Sequence, residues 1–247
     1  VMNEIQASFK KAKNAVLFLD YDGTLTGFHS DPQKAYPDEE LKKIVKDLSA
    51  LAQVVVISGR DKDTLGKWFN GQHIDMIAEH GVWVKKKENK GDWELYAEVE
   101  DGWKDDIRKV MEYYVLRTPG AFIEEKHHSL VWHYRKVESG LGDLRMRELF
   151  SHLKYMARGY NLQVLEGNMV LEIKRPDINK GRAATAMMKG AEYDFILAIG
   201  DDWTDEDTFK AMPKNAYSIR VGYAYTQANY NIKSFRQVRQ LLQKLTS

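Results

Sequence analysis

The segment Asp20-Tyr21-Asp22-Gly23-Thr24 points most directly to chemistry. It closes the apolar run 15–19 (AVLFL), which reads as a strand buried on both faces and ending at an acid. Residues two apart on a strand face the same way, so Asp20 and Asp22 would share one site just past the strand end. Two carboxylates ~4 Å apart repel by roughly 4 kcal/mol in partly screened surroundings. Gly23 allows a tight turn, and Thr24 offers a hydroxyl and a main-chain N–H to an anion. Asp201, Asp202 and Asp205 follow a second apolar run, 195–199 (FILAI). If the two strands are neighbours the acids converge, and such a cluster needs a cation or raised pKa values. An all-oxygen donor set favours Mg2+ over zinc.

Other segments add to this. Ser58-Gly59-Arg60 ends the apolar run Val54–Ile57 and offers a hydroxyl and helix N-terminal amides, a natural phosphate seat. Asn179-Lys180-Gly181 opens a helix, and residues 200–207 read GDDWTDED. Taken singly, each has an ordinary explanation: an acidic turn or calcium loop, a capped strand-to-helix turn, a surface lysine, an acidic helix start. All of them in this order, each at a strand or helix end, point to one phosphate and metal site.

The elements that must position these residues alternate between strand and helix periodicity. Pro37 opens a helix whose first turn holds Asp38, Glu39 and Glu40, with Leu41, Ile44, Val45 and Leu48 as its apolar stripe. Three short apolar runs, each followed by a helical segment, predict an α/β fold with a doubly wound, mainly parallel sheet. In such sheets ligands bind beyond the carboxyl ends of the strands. The middle of the chain reads differently. A helix carries Trp103, Ile107, Val110 and Tyr114, and Thr118-Pro119-Gly120 breaks it. A strand pair over 122–135 sets Leu130, Trp132 and Tyr134 on one face and Ser129, Val131, His133 and Arg135 on the other. A helix at about 141–157, with Leu141, Leu144, Leu149 and Leu153 apolar, precedes strands 162–166 and 169–174 joined at Glu166-Gly167-Asn168. Residues 101–177 therefore read as an α+β unit inserted into a core made of 1–100 and 178–247. Trp132 and Tyr134 are expected to pack in its core rather than to stack on a ligand. Lys85, Lys86, Lys87 and Lys90 read as a solvated basic hairpin, and His80, His127, His128 and His133 are not at zinc-binding spacing.

Composition sets the outer limits. The chain has 247 residues, 43% hydrophobic and 30% charged, as expected of a globular protein large enough to need no covalent staples. Cysteine is absent, which excludes disulfides, thiolate metal sites and a cysteine nucleophile and suits a cytoplasmic location. Lys and Arg total 37 against 36 Asp and Glu, a formal net charge of +1, so nothing draws the whole molecule to nucleic acid or to a membrane surface. No apolar run approaches the ~20 residues of a membrane span. The chain opens on Val1, as a piece of a longer polypeptide would, and it is expected to be monomeric.

Together the ordered motifs resemble the haloacid dehalogenase superfamily of phosphohydrolases. The middle narrows the resemblance. Glu124-Glu125-Lys126-His127-His128-Ser129, Trp132-His133-Tyr134-Arg135, Val170-Leu171-Glu172-Ile173-Lys174-Arg175-Pro176, Ile77-Ala78-Glu79-His80-Gly81 and GDDWTDED are similar to trehalose-6-phosphate phosphatases, over about 14–245. The resemblance implies a Rossmann-like core with an inserted cap, and hydrolysis of trehalose 6-phosphate to trehalose and phosphate. It implies Asp20 as nucleophile, forming an aspartyl-phosphate, and Asp22 as general acid and base. Thr24, Ser58 and Lys180 would hold phosphoryl oxygens. Mg2+ would be bound by Asp20, the main-chain carbonyl of Asp22, and Asp201, with Asp205 beside them. Arg60, Glu124, Lys126, Arg135, Asn168 and Glu172 would contact the sugar phosphate. Asn168 departs from the pattern, since many relatives carry basic residues before the V-L-E segment. A mobile lid would hinge near 99–103 and 175–179. A trehalose-6-phosphate synthase domain, in the same polypeptide or complex, is the partner the resemblance implies. The alternatives are another sugar phosphatase, such as a sucrose-phosphate type, and a non-catalytic sugar-phosphate-binding domain of a synthase fusion.

Overall fold

The computed structural model describes residues 2–29, 34–88, 92–96, 102–126 and 128–247. Lys90, His127 and most of the expected 99–103 hinge lie outside the described residues. The chain divides into two compact units, Val1–Ala97 with Asn179–Ser247, and Glu98–Ile178.

In chain order the larger unit begins with α1 (Met2–Lys11), β1 (Ala15–Asp20), α2 (Glu39–Ser49), β2 (Gln53–Ile57), α3 (Lys62–Trp68) and β3 (Asp75–Ala78). A 3-10 turn (Glu79–Gly81), β4 (Trp83–Lys85) and β5 (Glu94–Leu95) follow. The smaller unit holds α4 (Lys104–Val115), β6 (Phe122–Glu125), β7 (Ser129–His133), α5 (Ser139–Tyr160), β8 (Gln163–Gly167) and β9 (Val170–Lys174). The larger unit resumes with α6 (Lys180–Met188), β10 (Phe195–Gly200), a 3-10 turn (Trp203–Asp205), α7 (Glu206–Ala211), β11 (Tyr217–Val221), β12 (Tyr230–Ile232) and α8 (Phe235–Leu245).

The large sheet has the order β12-β11-β10-β1-β2-β3-β4-β5, parallel from β12 through β3 and antiparallel at β4 and β5. This is the doubly wound, mainly parallel sheet expected from the apolar runs. Every residue of β1 and β10 is buried, because helices cover both faces. The alternation of the strand decides which face each residue serves. Leu17, Leu19, Val54, Val56, Leu197 and Ile199 pack with Ile5 and Phe9 of α1, Leu41 and Leu48 of α2, and Leu241 and Leu242 of α8. Val16, Phe18, Val55, Ile57 and Ala198 pack instead with Ala183, Ala184 and Met187 of α6 and Phe209 of α7. The helix expected from Pro37 starts two residues later. Asp38 is its N-cap, accepting from the Leu41 amide at 2.8 Å, and Glu39 and Glu40 fill the first turn.

The smaller unit is an antiparallel sheet, β6-β7-β9-β8, with α4 and α5 on one face. Leu130, Trp132, Leu171 and Ile173 meet Ile107, Met111, Leu149 and Leu153 there, and Trp132 and Tyr134 are core residues as expected. Two details differ from the sequence reading. The long helix runs 139–160, and Leu144 is 53% exposed while Met146 and Ala157 join Leu149 and Leu153 on the buried stripe. The β8–β9 turn falls at Asn168-Met169 rather than at 166–168, with Met169 at φ 63°. A two-residue hairpin turn requires left-handed backbone, which Met169 supplies despite its side chain. Among the described residues no helix is long and apolar enough to cross a membrane.

The corrected stripe on α5 gives a direct check. Leu149→Ala, fully buried, is expected to cost about 2–5 kcal/mol in urea unfolding, whereas Leu144→Ala stays within about 0.5 kcal/mol.

Candidate active site at the carboxyl ends of the strands

β1 and β10 are adjacent and in parallel register, Leu19 opposite Ile199, so their carboxyl ends bring Asp20 and Asp201 into one place. One carboxylate oxygen from each of Asp20, Asp201 and Asp205 lies within 4.8 Å of the others. Lys180, the first residue of α6, lies between two of them. Its Nζ donates to Asp20 Oδ1 at 2.6 Å and to Asp205 Oδ1 at 2.8 Å. All three side chains are buried, with Asp20 6%, Asp205 2% and Lys180 3% exposed.

The two acids that meet Lys180 differ in what remains free. Asp205 Oδ2 accepts the main-chain N–H groups of Asp201 and Asp202, each at 3.0 Å, so both of its oxygens are committed. It holds the 201–205 turn in shape. Asp20 Oδ2 is buried and has no hydrogen-bond partner. A buried carboxylate oxygen without a donor carries a desolvation penalty. Thr24 Oγ1 donates to Asp201 Oδ1 over a long 3.4 Å. Gly23, at φ 83°, lies under Asp201: a Cβ there would come 2.1 Å from Asp201 Oδ2. The turn that follows β1 is therefore shaped to admit the Asp201 carboxylate.

The electrostatics follow from burial. Burial first, then Asp205, holds the Asp20 carboxyl well above the usual carboxylate range, although Lys180 opposes this. Burial and Asp205 likewise push Asp201 up to about 7. The same pair of carboxylates holds the Lys180 ammonium above its ordinary value against the effect of burial. Without a further cation, three acids share one ammonium. The all-oxygen donors, the unpartnered Asp20 Oδ2 and the Asp201 carboxylate together fit a hard divalent cation.

The remaining expected residues of this unit lie on the next strand end. Asp20 is the register partner of Ile57, and Ser58 follows immediately. Ser58 is fully buried and its Oγ accepts the Arg60 N–H at 3.1 Å. Arg60 clamps Asp22 with two bonds, Nε to Oδ2 at 2.8 Å and Nη2 to Oδ1 at 2.6 Å. Its guanidinium also lies 5.0 Å from the Trp68 ring centre. Tyr21, between the two acids, is buried against Trp68 and Phe69. The sequence reading did not foresee the Asp22–Arg60 pairing, because Arg60 is 38 residues away and only the β1–β2 register makes them neighbours.

The turn after β3 is a second feature that the sequence left without a role. Glu79 and His80 both adopt left-handed backbone, at φ 51° and 56°. Glu79 N–H donates to Arg60 O at 2.9 Å and His80 N–H to Ser58 O at 3.1 Å, so this strained turn braces the Ser58–Arg60 loop. Gly59 lies against this turn: a Cβ there would come 2.4 Å from His80 Nε2, so a larger residue would have to displace the His80 ring.

The five other expected residues belong to the smaller unit. Glu124 and Glu172 both pair with Val131, one from each side, and so share a sheet face. Burial would raise the Glu172 carboxyl, but the Lys126 and Lys174 ammoniums bring it below its ordinary value. The Arg135 guanidinium donates to the Asn168 carbonyl at 3.0 Å, which joins the end of β7 to the β8–β9 turn.

A pH experiment follows from the crowded acids. An acid whose folded pKa is raised contributes stability while protonated, and loses it as pH rises through the folded value. In a chelator the protein is therefore expected to melt at a lower temperature at pH 8 than at pH 6, with the Asp201 part of the decline levelling off above its folded value of about 7. Excess Mg2+ should remove most of this decline, and Asp201→Asn should flatten it. A melting temperature in chelator that rises from pH 6 to pH 8 would contradict the assignment.

Comparison with known proteins is in keeping with this geometry. The family model for trehalose-phosphatase matches residues 18–243. The bifunctional trehalose-6-phosphate synthase/phosphatase of Thermoproteus tenax is 33% identical over 246 residues, covering 99% of this chain and 33% of that protein. The chain thus spans about a third of the length of the first curated relatives it matches. Among solved structures, the C-terminal domain of the C. albicans trehalose-6-phosphate phosphatase superposes with a TM-score of 0.89 at 29% identity, covering 99% of this chain and 96% of that one. A haloacid dehalogenase-like hydrolase from Bacteroides thetaiotaomicron shares the fold, with a TM-score of 0.70 at 14% identity and coverage of 94% of this chain and 100% of that one. By its matched span and its fold, this chain belongs to the trehalose-phosphatase family.

Proposed function

We propose that the protein hydrolyses trehalose 6-phosphate to trehalose and inorganic phosphate, with Asp20 as the nucleophile. The observation that carries this reading is the state of Asp20. One carboxylate oxygen is fixed by Lys180, and the other is buried, unpartnered and located at the carboxyl end of the central strand. An oxygen held in place without a donor is preorganised for attack on phosphorus.

The other residues of the site have roles that fit their contacts. Lys180, Thr24 and Ser58 offer an ammonium, a hydroxyl and a second hydroxyl to the phosphoryl oxygens. A carboxylate approaching a phosphate dianion needs such offsetting charge. Mg2+ would be held by Asp20, Asp201 and the main-chain carbonyl of Asp22, with Asp205 orienting the 201–205 turn behind them. When bound, the ion supplies charge neutralisation for the phosphoryl group and keeps the acids ionised. Asp22 gives a proton to the departing sugar oxygen and takes one from the water that releases phosphate from Asp20. Both of its oxygens are engaged by Arg60 in this structure, so at least one of those bonds must open for proton transfer. Arg60 is then a holder of Asp22 as well as a substrate contact.

Glu124, Lys126, Arg135, Asn168 and Glu172 are proposed to read the sugar. A disaccharide presents a set of hydroxyls, and charged groups of opposite sign on one sheet face donate to and accept from them. Position 168 offers an amide side chain, which both donates and accepts without adding charge. The synthase half of the bifunctional relatives makes a synthase domain or subunit the expected partner.

Hydrolysis of a panel of sugar phosphates tests the reading. Trehalose 6-phosphate is expected to have the highest kcat/KM, ahead of sucrose 6-phosphate and glucose 6-phosphate, and equal values across the panel would overturn the specificity. Asp20→Asn is expected to lower kcat by at least about a thousandfold. Phosphate release at the parent rate would remove Asp20 from the mechanism.

A further inference from the structure

The small sheet carries an aromatic pair that no sugar role has yet been given. His133 pairs across the strands with Phe122, and their rings are parallel, 4.5 Å apart with an interplanar angle of 2°. His133 Nε2 lies 2.8 Å from Glu124 Oε2, so the ring is fixed at its edge by a carboxylate and on its face by a phenyl group. Phe122 itself is 47% exposed.

Register places this pair in a ladder of changing chemistry. The first rung across β6, β7 and β9 is Phe122, His133 and Val170. The next is Glu124, Val131 and Glu172, and beyond it lie Lys126 and Lys174. All share the face opposite to Leu130, Trp132, Leu171 and Ile173. Trp132 and Tyr134 also stack, with ring centres 5.3 Å apart, but they are buried on the helical side and reach no ligand.

An aromatic plane on the same sheet face as two carboxylates and the Lys126 ammonium matches one kind of ligand closely, whereas the buried Lys174 ammonium is committed to the Ile178 carbonyl. A pyranose has an apolar face of C–H groups, which stacks on an aromatic ring, and a rim of hydroxyls, which need donors and acceptors. We infer that Phe122, supported from beneath by His133, is a specificity-determining residue that stacks on a pyranose ring of the substrate while Glu124 engages that ring's hydroxyls. The inference rests on the proposed hydrolysis of a disaccharide phosphate and extends it to a residue chosen only by the sheet. His133 is the positioning residue, acting through Phe122 and Glu124.

Steady-state kinetics with trehalose 6-phosphate and with glycerol 3-phosphate, which has no ring, separates stacking from other effects. Phe122→Leu keeps an apolar side chain but loses the plane; Phe122→Trp keeps the plane. The Leu variant should raise KM for trehalose 6-phosphate about tenfold with little change in kcat, and the Trp variant should stay near the parent. For glycerol 3-phosphate the Leu variant should show no comparable rise. Tyr155→Ala, on the outer side of α5, is the surface control and should leave both substrates unaffected. A Leu variant indistinguishable from the parent, or an equal KM rise for both substrates, overturns the stacking role. A parent that hydrolyses glycerol 3-phosphate but not trehalose 6-phosphate overturns the proposed function instead. Calorimetric titration with free trehalose then judges Phe122 alone: weaker binding by the Leu variant supports stacking, and equal affinity or no binding by either protein overturns it.

Discussion

A buried lysine between two buried aspartates is the constraint around which the larger unit is organised. Lys180 bonds Asp20 and Asp205 at 2.6 and 2.8 Å, and all three are nearly excluded from solvent. Such a group costs more in desolvation than it returns unless every member is paired with good geometry. Here one member is not fully paired, because Asp20 Oδ2 has no donor. With Asp201 close by, the site holds more negative charge than its ammonium offsets. The arrangement is costly for the protein alone, and the same excess of negative charge that raises the acids' pKa values would draw in a divalent cation.

Parallel strands suit this task. Their carboxyl ends lie along one edge of the sheet, so residues far apart in the chain arrive side by side without long-range loops. β1 supplies Asp20, β2 leads to Ser58 and Arg60, and β10 leads to Asp201. The supports are backbone devices. Asp205 ties down the amides of Asp201 and Asp202, Gly23 leaves space for a carboxylate, and the strained Glu79-His80 turn braces the Ser58–Arg60 loop. Strain of this kind persists where surrounding bonds over-determine the backbone. The cost is placed next to the residues whose positions matter most.

The antiparallel sheet of the smaller unit solves a different problem. One face must be apolar to pack on α4 and α5, and the other is left to polar chemistry. Strand alternation alone separates Trp132 from His133 and Leu171 from Glu172. Cross-strand pairing then assembles carboxylates, ammoniums and an aromatic stack from three strands. None of these groups is unusual singly. Their order along the face is the observation on which the proposed recognition of a pyranose rests.

The sequence alone determined the fold class and the acidic core of the site. Short continuous apolar runs that stop at polar residues and are each followed by a helical segment read as strands buried on both faces, and ordered motifs at their ends carry a family resemblance with them. Strand alternation likewise separated Trp132 and Tyr134 from Val131 and His133 before any coordinates. Helix and turn boundaries were less legible: α5 buries Met146 rather than Leu144, and the β8–β9 turn uses Met169 in a left-handed conformation that its side chain does not advertise. What only the tertiary structure decided are the pairings across the sheets. Asp22 meets Arg60, Ser58 leans on the turn after β3, and Phe122 lies on His133. Register between strands is set by packing of whole faces and by turn geometry, quantities that no local run of residues contains, so partners brought together by register stay invisible until the sheet is formed.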